Sequence, residues 1–274
     1  ARPGQPDRNR RVGPRVAPGM AESTTEQSPA IHLDVWFDVR CPWCFLGTRR
    51  LRRATELFAE AEPGIPVTVR HHSFELAPGI PERFAGGEAD YLLRYEGVPL
   101  EQSARTIPAL QQLAAEEGVE LRFGELQQVN TRPAHRVFQY ARAEGRGEEA
   151  LDRLFTAYFS ECRDLADADT LAELAVEAGL DRTRALAAAI GPVVAGEGGP
   201  TGAGAYLAEA GAWDRAVEKD DVRARMLGAQ GVPYTLVNAK YSISGAQPVD
   251  ILLGALREVV RRDFPEDRVE SADG

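Results

Sequence analysis

Residues 31–47 confine the fold more tightly than any other stretch of the chain. Ile31-His-Leu-Asp-Val-Trp-Phe-Asp-Val39 places apolar side chains at 31, 33, 35, 37 and 39, the period-two alternation of a half-buried β-strand. Cys41-Pro42-Trp43-Cys44 follows at once. Leu51, Ala54 and Phe58 then recur at helical spacing, with Arg49, Arg50, Arg52 and Arg53 expected on a solvated face. Pro42 suits the first turn of that helix, where a missing N–H removes nothing. Glu62-Pro63-Gly64 ends it. Val67 to Phe74 reads as a second strand, so the chain opens as a βαβ unit.

From Ala77 to about Glu209 the pattern is helical, broken by Gly and Pro. Tyr91-Leu92-Leu93 begins one short piece, and Ile107, Leu110 and Leu113 form another, closed by Gly118. Leu151, Leu154, Phe155 and Tyr158 make an amphipathic face; Leu171, Leu174 and Ala175 make the next, with Asp169 or Thr170 near its N-cap. Residues 191–204 read as a loop, and a helix of mixed charge is expected from about Tyr206 to Leu227, with a break near Gly211. Strand signals return at Pro233–Val237 and Lys240–Ile243, joined by a hairpin-length Asn238-Ala239. Val249, Leu252, Leu253, Leu256 and Val260 build a closing helix after Pro248. The economical architecture is one α/β domain, residues 31–76 and 220–262, with a helical insertion over 77–219. Residues 1–30 and 263–274 are expected as tails.

No apolar run approaches the roughly 18–20 residues that span a bilayer. The net charge of -10 argues against a nucleic-acid partner, since phosphate binding needs a basic face. The first twenty residues depart from this balance, with five Arg against one Asp and four Pro. They read as a disordered extension ahead of Met20; no apolar core makes them a signal peptide, and the cytoplasm is the expected location.

Three cysteines, Cys41, Cys44 and Cys162, give no disulfide framework. Cys41 lies where a strand ends and a helix begins, and the unpaired N–H groups and dipole there favour negative charge on sulfur. Cys44 lies one turn further on the same face. Cys41 can therefore attack a disulfide and Cys44 resolve the mixed disulfide, with no metal or organic cofactor. Zinc is the competing use of such a pair, but it wants four ligands; no second pair exists, and His32, His71, His72 and His135 have no ligand spacing. Far downstream, Gly231-Val232-Pro233 precedes a strand. Spacing alone leaves the Val232–Pro233 bond open: cis beside the disulfide, its backbone pairing with an extended substrate, or trans, opening an edge strand.

Several separated motifs together resemble the DsbA-like oxidoreductases of the thioredoxin superfamily, specifically the FrnE-type branch associated with bacterial polyketide gene clusters. They are Asp38 to Gly47, Ser73-Phe74-Glu75-Leu76, Asn130-Thr131 with Ala134-His135-Arg136, Gly231-Val232-Pro233, and Ile243 to Gln247. The resemblance implies a thioredoxin fold with a helical lid, Cys41 as nucleophile, Cys44 as resolving thiol, and a cis Val232–Pro233 facing them. Pro42 and Trp43 stand where the periplasmic enzyme has Pro-His, a dipeptide to which redox poise is sensitive. The substrates implied are disulfide-containing proteins or small molecules, with a recycling thiol or reductase, glutathione as a candidate co-substrate, and a monomer or homodimer. A related branch of the fold, the glutathione-dependent hydroxychromene-carboxylate isomerases, carries Ser in place of the nucleophile. A non-enzymatic peptide-binding holdase is the remaining rival.

Asp38, three residues before Cys41, reads either as a group tuning the thiol or as a solvated strand-end carboxylate. The resemblance suggests His135 as a residue lining the cleft opposite the disulfide; a lone helical His is more often structural. His71 and His72 fall on opposite faces of a strand and so form no ligand pair. Cys162 is expected as a free packed thiol.

Overall fold

The computed structural model describes residues 29–192 and 204–265. The Met20 region, most of the 191–204 loop and nearly all of both tails lie outside them. The central strand β1 (Ile31–Phe37) pairs in parallel with β2 (Val67–Ser73), Ile31 opposite Val67 and Phe37 opposite Ser73. The helix α1 (Pro42–Ala61) joins the two. The C-terminal strands β3 (Tyr234–Val237) and β4 (Tyr241–Ser244) complete the sheet in the order β2-β1-β3-β4, with β3 antiparallel to β1.

Alternation along β1 divides its side chains between two cores. Ile31, Leu33 and Val35 pack with Leu51, Ala54 and Phe58 of α1 and with Leu252, Leu256, Val259 and Val260 of α9 (Val249–Asp263). Trp36, on the opposite face, packs with Ala224 and Leu236 and donates its indole N–H to the Asp220 carbonyl at 2.9 Å. Asp220 and Ala224 belong to α8 (Gly204–Met226), the helix of mixed charge expected there, and Gly211, the candidate break, does not interrupt it. In a helix that packs along its length a single Gly costs about 1 kcal/mol, too little to interrupt it.

Between β2 and β3 the chain forms the helical body: α2 (Glu88–Tyr91), a π-helical turn Leu92–Glu96, α3 (Leu100–Glu116), α4 (Arg132–Ala143), α5 (Gly147–Phe159), α6 (Ala168–Glu177) and α7 (Arg182–Ile190), and then α8. Its largest core is continuous with the sheet domain, because Phe37, Val39, Phe45 and Leu46 pack among Phe138, Leu154 and Phe155. The N-cap of α6 is Asp167, whose carboxylate accepts from the Thr170 N–H at 2.8 Å. Asp169 and Thr170 therefore lie inside the helix, because the cap's oxygen serves the N–H three residues on.

One expected surface is partly wrong. Arg50 is buried, not solvated: its Nε donates to both Glu117 carboxylate oxygens, at 2.8 and 3.0 Å, and its Nη1 to the Ala246 carbonyl. A guanidinium with several fixed acceptors tolerates burial that a lone charge does not. Arg52 and Arg53 remain exposed.

Candidate active site

Cys41 occupies the N-cap of α1, with φ −84° and ψ 109°, and Pro42 takes the first helical position. The Cys41 carbonyl accepts from the N–H of Cys44 at 3.0 Å and of Phe45 at 3.3 Å, so the backbone turn itself brings the second cysteine under the first. Both are free thiols, Cys41 4% and Cys44 0% exposed. Burial, then contact with Cys41, pushes the Cys44 thiol well above its ordinary range. Trp43, between them, stands 42% exposed.

The Val232–Pro233 peptide is cis, and the Cys41 Sγ donates to the Val232 carbonyl at 3.4 Å. Gly47 admits this approach: a Cβ there would meet Pro233 Cγ at 3.1 Å and Ala246 Cβ at 3.4 Å. The Gly245 N–H donates to the Pro233 carbonyl at 2.9 Å, which ties the turn after β4 to the same loop.

Asp38 is fully buried beneath the pair, so the solvated reading of it fails. One carboxylate oxygen accepts from the Arg40 N–H at 3.2 Å and lies 3.3 Å from His135 Nε2; the other accepts from the Leu76 N–H at 2.8 Å. Burial alone would raise its pKa, but the hydrogen bond and charge of His135, then Arg40 and the Leu76 N–H, hold it below the ordinary value. His135 follows the structural reading and does not line the cleft. It lies on the buried face of α4, 0% exposed, 5.3 Å ring to ring from Phe37, with Nδ1 buried and unpartnered. Helix packing turns it inward to Asp38.

The structure thus gathers Asp38, Cys41, Pro42, Trp43, Cys44, Val232 and Pro233 at one sheet end, with His135 below. His71 and His72 lie away from it on opposite faces: His71 meets Glu148 at 2.5 Å, and His72 meets Asp34 at 2.7 Å and stacks on Trp36. Cys162 is a half-buried free thiol at φ 54° near the Arg122 carbonyl. Among the described residues no group of three or more His, Cys, Asp or Glu side chains could hold a metal ion, and no helix is long and apolar enough to cross a membrane.

Sequence reasoning missed a second group. A cavity of about 640 Å³ opens beside Cys41, between the sheet end and the helices α2 and α3. Arg40 forms part of its wall, its Nη2 donating to Gln128 Oε1 at 2.6 Å and its guanidinium stacked 3.7 Å from the Tyr91 ring centre. Gln128 in turn donates to Glu88 at 2.7 Å. Burial raises the Glu88 carboxyl to about 7, against the lowering effect of Arg40. Burial also raises the Tyr91 phenol. The available signal was Arg40, a charge inserted between an apolar strand and Cys41.

Comparison with known proteins agrees with this geometry. An uncharacterized protein of Bacillus subtilis, YwbO, is 32% identical over 152 residues, 55% of this chain and 68% of that protein. The crystal structure of the probable DsbA oxidoreductase SCO1869 from Streptomyces coelicolor superposes with a TM-score of 0.71 at 30% identity, covering 85% of this chain and 91% of that one. A 2-hydroxychromene-2-carboxylate isomerase shares the fold at 18% identity and TM-score 0.59, over 85% and 97% of the two chains. Residues 32–198 match the family model of the DSBA-like thioredoxin domain, and the chain belongs to that family.

Proposed function

We propose that this protein catalyses thiol–disulfide exchange on protein or small-molecule disulfides, as a FrnE-type member of its family, with glutathione as a candidate recycling thiol. The observation that carries the reading is the Cys41 Sγ, placed at a helix N-terminus and 3.4 Å from the backbone carbonyl of a cis-proline loop. The Val232 backbone offers an extended substrate a strand to pair with.

In the proposed cycle the Cys41 thiolate attacks one sulfur of a substrate disulfide, and the other sulfur leaves as a thiolate. Cys44 gives up its proton, which the departed substrate thiolate takes up, and its thiolate attacks the Cys41 sulfur. The second substrate thiolate leaves; the substrate gains two electrons and a Cys41–Cys44 disulfide remains. The reverse sequence oxidises a dithiol, and the surrounding redox poise sets the direction. The raised Cys44 thiol fits this order, staying protonated until the mixed disulfide forms.

Cys41→Ser is expected to bring insulin reduction by a thiol down to the uncatalysed rate. Cys44→Ser is expected to accumulate mixed disulfides, visible by mass spectrometry. Full activity in Cys41→Ser would overturn the reading. Isomerase turnover surviving that substitution would favour the hydroxychromene-carboxylate chemistry instead, and aggregation suppression without any exchange would favour a holdase.

A further inference from the structure

Two hydrogen-bond donors in the wall of the cavity beside Cys41 make no well-formed hydrogen bond. Arg40 and Tyr91 are 4% and 3% exposed, both line the cavity, and the Arg40 Nε and the Tyr91 hydroxyl are each buried without a properly aligned partner, the hydroxyl facing only the Glu96 carboxyl of the turn that follows it. Native proteins pair nearly all such groups, and an exception at a cleft points to something that completes it. The rest of the Arg40 guanidinium is fixed: Nη2 on Gln128, Nη1 on the Val129 carbonyl at 3.3 Å, and the plane stacked on Tyr91 itself. The two free donors therefore belong to one rigid stack.

The wall that closes over Tyr91 is thin. Tyr91 is followed directly by the π-helical turn Leu92–Glu96, none of whose residues is buried. A π turn is a rare form found often at functional sites, and with only Leu92 and Tyr95 packed on Tyr91 and Phe84 while Leu93, Arg94 and Glu96 stand exposed, it opens at less cost than the core. The cavity volume lies within the roughly 300–1,000 Å³ of ordinary ligand sites. Trp43, Tyr95 and Leu110 supply apolar wall, and Glu88 and Glu96 add two carboxyl groups.

We propose that this cavity binds an uncharged carbonyl oxygen, carried a few bonds from the substrate disulfide, which the Arg40 Nε–H and the Tyr91 O–H take up as Leu92–Glu96 yields. An acceptor is required because the Arg40 Nε–H can only donate, and the Tyr91 hydroxyl can donate to the same atom. It is uncharged because a carboxylate would enter beside the Glu96 carboxylate. The site lies against Cys41, so occupation there holds the attached disulfide at the nucleophile and selects among disulfides. The proposal rests on the exchange reading above.

The test uses Tyr91→Phe in the full chain, which removes the hydroxyl and leaves the ring stacked on Arg40. Rates of Cys41 oxidation are compared for N,N′-diacetylcystamine, which carries neutral amides, dibutyl disulfide, which has no acceptor, and 3,3′-dithiodipropionate, which carries carboxylates. The expected result is a preference for the diamide over dibutyl disulfide that falls about tenfold in Tyr91→Phe, with the dicarboxylate poorer than the diamide in the unaltered protein. An unchanged preference, or a dicarboxylate that outruns the diamide, overturns the proposal. The disulfide of N-acetylcysteine methylamide separates sources. A larger loss with it than with the diamide assigns the oxygen to a polypeptide backbone, and an equal loss on both assigns it to amides generally. A thioether analogue of diacetylcystamine, which cannot exchange, is titrated by Trp43 fluorescence. If no disulfide oxidises Cys41 the exchange reading fails, while a dissociation constant for this thioether about tenfold weaker in Tyr91→Phe still upholds the site and an equal one removes it.

Discussion

Asp38 and Glu88 are both buried near Cys41, and their neighbours drive them in opposite directions. For Asp38, burial raises the pKa but loses to His135, Arg40 and the Leu76 N–H. Its folded value lies below the unfolded one, so its contribution to stability is present above the ordinary Asp range and is lost as pH falls through the lower folded value. Asp38→Asn is expected to cost about 1–3 kcal/mol at pH 7, from the weakened buried hydrogen bonds, with the difference narrowing in acid. For Glu88, burial wins, and the carboxyl reaches about 7. The folded chain then holds a proton that the unfolded chain has released, so stability falls as pH rises from about 4.5 through 7. Glu88→Gln keeps the Gln128 bond and removes that fall. It is expected to stabilise the protein at pH 8 by on the order of 3 kcal/mol and to change little near pH 4, as read from urea unfolding across pH. Cys41 and Cys44 were legible from spacing alone. The burial of Asp38 was not, because its partners His135 and Leu76 come from segments far along the chain.

At the scale of elements, α1 does three things at once. Its N-terminus presents Cys41, its middle admits the cis-proline loop at Gly47, and Arg50 ties it to Glu117 and Ala246. Gly47→Ala adds a methyl 3.1 Å from Pro233. The expected cost is about 1–3 kcal/mol from overpacking, together with slower exchange from displacement of the Val232 carbonyl. Denaturant midpoints and insulin-reduction rates measure the two; neither changing would deny the loop its role. Period-two and helical patterns located β1, α1, β2, β3, β4 and α9, where one face is apolar and the other wet. They did not single out α4. Its residues Ala134 to Ala141 are all buried, and polar side chains occupy interior positions, with Gln139 donating to Ser73 and Asp220, and Arg136 to the Ala188 carbonyl. A stripe is present, with Ala134, Val137, Phe138 and Ala141 at i, i+3, i+4 and i+7, but the opposite face reads as solvated and is instead buried on fixed acceptors.

Across the whole molecule, strands at the two chain ends and helices between them made the thioredoxin-like plan readable. The cavity beside Cys41 was not readable, because it exists only where Arg40, the α2 and π-turn segment and the Gln230–Val232 loop converge. The plan places one reactive thiol at the edge of that cavity and its partner beneath, and the account stands on their acting as a reversible redox couple. The most direct test is equilibration of the full chain with glutathione redox buffers, trapping thiols at each ratio. The account expects Cys41 and Cys44 to interconvert together, in one two-electron transition within the range of the buffer, that disappears in Cys41→Ser and leaves Cys162 unaffected. A pair that stays wholly reduced or wholly oxidised across every ratio would contradict it.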